Sequence, residues 1–262
     1  MPETDADLAL LTEAAAEAGR IALGFWRKSP KHWDKGGEHG PVSEADLAVN
    51  DALRARLAAA RPGYGWLSEE SPDDPARLTC ARVFILDPID GTRAFLAGEE
   101  NFSVSLAVAE AGRVTAAVVH LPAKARSYSA TAEGPACRDG APIRPASRAE
   151  LAGADVLTSR TALQPEHWPG PGGVPEVKRS FRASLAYRLC LVAEGRHDAM
   201  LTLRDTWEWD VAAGALIAAR AGCAVSDRLG QPLRFNNPAP RVAGTVVANP
   251  GLQRQILAGL GA

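Results

Sequence analysis

The stretch "VFILDPIDGTRAF", residues 83–95, runs an apolar segment into two carboxylates three positions apart, Asp87 and Asp90. Pro88 lies between them, and Gly91 and Thr92 follow. Pro88 fixes its own φ and stiffens the bend. Gly91 permits a tight turn and a close approach of backbone. The residues after Thr92, "RAFLAG", begin a helix whose free amides would face the same spot. Hard anionic oxygens beside amide donors suit Mg2+ and a phosphate, because magnesium takes carboxylate, water and phosphate oxygens. The same residues also read as a turn in which Asp87 and Asp90 cap the next helix, since Asp-Pro and Asp-Gly are common turn pairs.

Three further acidic motifs carry the same two readings. In "WLSEES", Glu69 and Glu70 are either ligands or part of a solvated loop. In "PVSEAD", Ser43 with Asp46 three residues on resembles a capping box with Asp in place of Glu. In "TWEWDVAAG", Asp210 precedes a small-residue helix as an N-cap or a ligand, and the two tryptophans flanking Glu208 read as packing.

These motifs need elements to hold them. Apolar residues at helical spacing predict a helix over residues 5–28. A loop, "KSPKHWDKGGEHGP", follows, and Ser43 opens a second helix that ends before Pro62-Gly63. Residues 83–86 form a short buried strand. "FSVSLAVAEAGRVTAAVVHLP" predicts two alternating strands joined at Ala111-Gly112, and "RSYSATAEGPACRDGAPI" continues the meander. Beyond residue 150, strand patterns in "ADVLTSR", "EVKRSF", "HDAMLTL", "CAVSD" and "GTVVAN" are separated by helical "SLAYRLCLVAEG" and "WDVAAGALIAARAG". "QPEHWPGPGGVPE" reads as an exposed loop. The expected division is residues 1–148, two helices on an antiparallel sheet, and 149–262, a smaller α/β half.

Composition excludes several classes. The 262 residues carry 29 Lys plus Arg against 31 Asp plus Glu, with no polybasic run, so no global field attracts a nucleic-acid polymer. The four cysteines are scattered without a C-x-x-C, which argues against a zinc site or disulfide framework and for a reduced, cytoplasmic protein. "MPETDADLALL" lacks the basic region of a signal peptide, and no apolar run reaches the roughly 20 residues of a membrane span.

Taken together and in order, "GPVSEAD", "LSEES", "ILDPIDGTRAF", "ASLAYRLCLVAEG" and "WEWDVAAG" resemble the inositol monophosphatase superfamily of metal-dependent, lithium-sensitive phosphatases. The similarity runs from about residue 10 to residue 249. It implies an α/β/α/β/α sandwich of the inositol monophosphatase and fructose-1,6-bisphosphatase type. It also implies two or three Mg2+ ions: one on Glu69, Asp87 and the Ile89 carbonyl, one on Asp87, Asp90 and Asp210, and a weaker one near Glu69. Gly91 and Thr92 would cradle the phosphate, and Thr92 with Asp46 would orient and deprotonate the attacking water. Lys35 corresponds loosely to a lysine before the family's first motif, and the glycines of "DKGGEHG" suggest a mobile lid. Because the reaction needs no phospho-enzyme, no nucleophilic Cys or catalytic His is expected, and the five histidines fall outside the motifs.

The tracts "GEENFSVSLAV", "WEWD" and "GQPLRFNN" look most like bacterial 3'(2'),5'-bisphosphate nucleotidases, which remove the 3'-phosphate of 3'-phosphoadenosine 5'-phosphate. On that resemblance Arg93, Ser184, Arg188 and Asp210 join Gly91 and Thr92 as substrate contacts. Arg93 and Arg188 are offered to a second phosphate or, alternatively, are surface ion pairs. Arg188 stands where that subgroup carries a lysine. The alternatives are an inositol-1-monophosphatase, a related sugar or histidinol phosphate phosphatase, or a transcription-associated binding factor of the same fold. The implied partner is a small phosphorylated metabolite, and the implied assembly a homodimer away from membranes.

Overall fold

Along the central strands, successive apolar residues go to opposite faces, as the two-residue period of a strand requires. In the strand Arg82–Asp90, Val83 and Ile85 join one core while Phe84 and Leu86 join another. In the strand Thr245–Ala248, Val247 faces one side and Val246 and Ala248 the other. Both sheets are therefore buried on two faces, which demands a layer of helices on each side.

A computed structural model describes residues 3–36 and 40–262. Six α-helices are described: α1 (Glu3–Phe25), α2 (Glu44–Ala60), α3 (Thr92–Leu96), α4 (Leu185–Ala193), α5 (Glu208–Ala221) and α6 (Pro250–Leu260). A seven-stranded sheet spans residues 65–142, and a five-stranded sheet spans residues 155–248. Helices α1 and α2 cover one face of the larger sheet. Helices α4 and α5 are sandwiched between its other face and the smaller sheet, and α6 closes the far side. The result is the expected α/β/α/β/α layering. The two sheets lie on either side of residue 148, yet the middle core takes Val83, Ile85 and Ala107 together with Leu157, Met200 and Val247.

Several boundaries differ from the sequence reading. The strand predicted over 83–86 continues to Asp90. It passes Pro88 because its ladder is broken there by a bulge, where a residue without an N–H is tolerated. A two-residue ladder, Thr206–Trp207 with Arg241–Val242, and helix α6 were not foreseen. The loop at 164–176 is exposed over most of its length, as expected, but is anchored at one residue. Trp168 is buried and its Nε1 donates to the Ala162 carbonyl at 2.8 Å, and its ring lies against Gly259 of α6. Residues 37–39 of the expected lid lie outside the described residues. Among the described residues, no helix is long and apolar enough to cross a membrane. All four cysteines are free, and Cys190 and Cys223 lie in the core.

The middle layer is tight where α5 meets α4. A Cβ on Gly214 would lie 2.5 Å from Leu189 Cδ1 and 2.7 Å from Leu189 Cβ. Replacing Gly214 with valine should cost about 2–3 kcal/mol through overpacking, despite glycine's poor helix propensity. Urea denaturation of wild type and Gly214→Val checks this.

Candidate active site

Asp87 and Asp90 are three apart, so a regular strand would turn them to opposite faces. The structure corrects this with a β-bulge: Asp87 pairs with Ser105 and Asp90 with Ser103, three residues against two. The extra residue returns both carboxylates to the same face. Within the bulge, Asp87 Oδ1 accepts from the Ile89 amide at 2.9 Å. Gly91 follows with φ at +98°, and a Cβ there would meet the Asn101 carbonyl at 3.1 Å and the Ser184 amide at 3.2 Å. Both the left-handed backbone and the crowding require glycine.

Neighbouring elements deliver the other acids. The strand Gly65–Ser68 runs parallel to Arg82–Asp90, with Ser68 opposite Leu86, so Glu69 emerges beside Asp87 at one sheet end. Asp210 lies in the first turn of α5, which packs across the same sheet. Each of Glu69, Asp87 and Asp210 offers an oxygen, and the three atoms lie within 4.8 Å of one another. Asp90 stands outside this triad but lines the same cavity. Its Oδ2 accepts from Ser184 Oγ at 2.6 Å and the Ala186 amide at 2.7 Å, and its Oδ1 from the Leu185 amide at 3.1 Å. Asp90 therefore satisfies the N-terminus of α4 in addition to facing the cavity.

Asp46 forms the capping box that its spacing predicted, accepting from the Ser43 amide at 2.9 Å and Ser43 Oγ at 2.6 Å. It also does more. Its second oxygen, Oδ1, lies 3.3 Å from Thr92 Oγ1, which is 3.1 Å from the Ile89 carbonyl. The capping carboxylate, itself buried, thus also reaches Thr92, which lines the cavity beside Asp90 and Gly91.

Burial sets the electrostatics. Desolvation raises the pKa of Glu69, Asp87, Asp90 and Asp210 alike, and for Asp87 and Asp210 the neighbouring carboxylates raise it further. Asp46 is pushed up to about 6 by burial, against the opposing hydrogen bonds from Ser43. One ammonium, Lys35 Nζ, reaches the group, 2.9 Å from Glu69 and 2.8 Å from Glu70. Like charges crowded in a dry site call for a cation, and a set of oxygens without nitrogen or sulfur suits a hard divalent one.

The cavity around these groups holds about 690 Å³. Glu69, Asp87, Asp90 and Asp210 line its acidic end with Gly91 and Thr92. Arg93, Arg204 and Arg241 line it too, with Phe181, Trp207 and Trp209. Trp207 and Trp209 are stacked at 4.7 Å, and the Arg241 guanidinium lies 3.8 Å over Trp207. The tryptophans read as packing from sequence are thus also cavity wall.

Two expected substrate contacts sit elsewhere. Arg188 is buried behind the segment 181–183, where its Nε donates to the Arg182 carbonyl at 2.5 Å and its guanidinium lies 4.1 Å from the Phe181 ring. Burial lowers its pKa to about 10. It shapes the wall from within and does not line it. Ser184 is fully buried as the N-cap of α4, bonded to Asp90, Ser103 Oγ and the Tyr187 amide. Arg204, Arg241 and Glu208 were missed. Glu208 is fully buried and accepts from the Asn236 amide at 2.6 Å, the Asn237 amide at 2.9 Å and Asn237 Nδ2 at 2.7 Å. Arg77 holds the same turn through Asn236 Oδ1 at 2.6 Å and the Asn237 carbonyl at 2.9 Å. This strut ties the chain after Glu69 to the start of α5 two residues before Asp210. Only the unusual "WEW" preceding Asp210 hinted at it.

The sequence signature of the inositol monophosphatase family matches residues 4–260. An inositol-1-monophosphatase of Mesorhizobium japonicum is 33% identical over 263 aligned residues, covering 95% of this chain and 94% of its own. A 3'-phosphoadenosine 5'-phosphate phosphatase of Mycobacterium leprae is 34% identical over 248 residues, covering 89% and 86%. Among solved structures, an IMPase of Thermotoga maritima superposes with a TM-score of 0.82 at 25% identity, covering 100% of this chain and 97% of that one. The layered fold, the carboxylate triad and these likenesses agree: the chain belongs to the inositol monophosphatase family and is a metal-dependent phosphatase.

Proposed function

We propose that this protein is a Mg2+-dependent phosphomonoesterase that removes the 3'-phosphate of 3'-phosphoadenosine 5'-phosphate. The observation that carries the substrate reading is a cavity acidic at one end and lined by three guanidinium groups, Arg93, Arg204 and Arg241, beside stacked indoles. A ligand matching it bears one phosphate for the acidic end, a second anion for the arginines, and a flat or apolar body. An inositol monophosphate is the second reading. Asp205 also lines the cavity and could accept from a polyol hydroxyl, and the Mesorhizobium relative carries that name.

In this reading Glu69, Asp87, the Ile89 carbonyl, Asp90 and Asp210 hold two or three Mg2+ ions. When bound, the ions supply Lewis-acid activation of water and neutralise charge on the phosphate and leaving group. The chain's own residues do the rest. Thr92 Oγ1 orients the attacking water, and Asp46 receives its proton through Thr92. The backbone amides of Gly91 and Thr92 cradle the phosphoryl oxygens. Arg93 reaches the substrate from the cavity rim, while Ser184 and Arg188 act indirectly, through Asp90 and the segment 181–183. A cytoplasmic homodimer is part of this proposal, supported by the family resemblance and the reduced thiols.

The deciding experiment compares kcat/KM for 3'-phosphoadenosine 5'-phosphate, inositol 1-phosphate and histidinol phosphate in Mg2+. The bisphosphate should lead by at least tenfold, and a lead by inositol 1-phosphate would transfer the assignment to the second reading. Thr92→Ala should lower kcat by about 100-fold with little change in KM, as expected for a group that serves proton transfer. Because Asp46 must be ionised to accept a proton, activity should fall as pH drops below about 6. Asp46→Asn should remove that acid limb along with most of the rate.

Stability should respond to pH in the opposite sense. A carboxyl whose folded pKa exceeds its unfolded value stabilises the fold at low pH and ceases to do so as pH rises through the folded value. For Asp46, moved from 3.8 to about 6, the whole loss is about 3 kcal/mol, of which about 1.4 kcal/mol falls above pH 5. EDTA-treated protein should therefore melt lower at pH 8 than at pH 5. Added Mg2+ should raise Tm more at pH 8. A Tm in EDTA that climbs from pH 5 to pH 8 would contradict the buried-carboxylate account.

A further inference from the structure

A second cavity, of about 490 Å³, lies beside the first and carries opposite charge. Its wall includes Lys124, Arg126, Arg182 and Arg196, with Asn101 and Tyr187. Glu100, the one carboxylate on this wall, is paired with Lys124 at 3.2 Å. Among the described residues, Arg126, Arg182 and Arg196 have no carboxylate within 4.0 Å. Arg182 donates through Nη1 to the Phe181 carbonyl at 2.7 Å, which keeps its guanidinium folded back against its own segment. Three guanidinium groups and an ammonium on this wall outnumber the carboxylates that act on them, Glu100 on Lys124 and Glu194 on Arg126, and leave a net positive charge.

We infer that this cavity is a binding site for a small, multiply charged phosphate anion, separate from the metal centre and independent of metal. Guanidinium forks match phosphate oxygens in pairs, and their charge does not titrate away at physiological pH. The wall offers guanidinium, ammonium, amide and phenol groups and little apolar surface for a base or sugar. The charge itself is therefore what recognises the ligand.

The two cavities share a partition. Phe181 and Ala183 line the metal-centre cavity, while Arg182 between them lines the cationic one. The first turn of α4 brings Tyr187 to the cationic side, and its Ser184 hydroxyl and its Leu185 and Ala186 amides hold Asp90 on the other. Asn101 lines the cationic cavity, and its carbonyl backs Gly91. An anion gripped by Arg126, Arg182 and Arg196 braces the partition that positions Asp90 and Gly91.

Calorimetric titration of the EDTA-treated protein with orthophosphate, pyrophosphate and ATP tests this, since without metal the acidic cavity repels anions. One site per chain is expected, with affinity falling at least tenfold in Arg126→Ala/Arg196→Ala and unchanged in Asp87→Asn. Arg196 is exposed and Arg126 half-buried, so the double variant should keep its Tm, and charge-preserving Arg126→Lys/Arg196→Lys should recover part of the binding. Binding of all three ligands identifies free phosphate as a source, and binding of pyrophosphate and ATP alone identifies a polyphosphate tail. No metal-independent binding, or binding that persists in the double alanine variant, overturns the inference.

Discussion

Mutual repulsion among buried carboxylates is the constraint around which this molecule is organised. Glu69, Asp87 and Asp210 come within 4.8 Å, with Asp90 beside them, and each is disfavoured as an anion first by desolvation. A chain left to itself would spread such charges into water. They are held together because each is placed by an element that is committed elsewhere: Glu69 and Asp87 by adjacent strands of a sheet buried on both faces, Asp210 by a helix filling the middle layer. The core's apolar burial opposes the repulsion, and a divalent cation relieves it. Binding affinity for metal is thus stored as folding stability that the metal-free protein lacks.

Rigidity around the site comes from buried polar groups that bond one element to the next. Asp90 fastens the bulged strand to the N-terminus of α4 through three hydrogen bonds. Glu208 fastens the start of α5 to the 236–237 turn, and Arg77 fastens that same turn to the chain following Glu69. Glu208 is fully buried and Arg77 is 2% exposed, so each would be costly if its partners were lost. This is the arrangement expected where ligands must hold their positions with no ion present.

Much of the fold was legible in the chain. Alternation marked the meander from residue 103 to 142, and the positive φ of Ala111 and Gly112 fell at the turn read from "AG". Ser43 capped α2 as its spacing required. The 164–176 loop is exposed over most of its length, as its composition implied, while Trp168 anchors it to a helix some ninety residues later in the chain. Readings went astray where distant contacts decide. The Arg188 side chain looked like an anion contact by motif, but its helix turns it inward to the 182 carbonyl.

The sequence by itself determined which atoms are available: four acidic motifs, a Pro-interrupted turn closed by a glycine, and a small-residue helix after Asp210. Those are local facts, set by backbone stereochemistry and side-chain chemistry over a few residues. Only the tertiary structure decided that Asp87 and Asp90 share a face, because a bulge is a property of two paired strands. Only it brought Arg204 and Arg241 to the cavity and sent Arg188 behind its wall. Residues far apart in a chain acquire mutual distances only when the layers between them are packed, and spacing along one strand or helix carries no record of that packing.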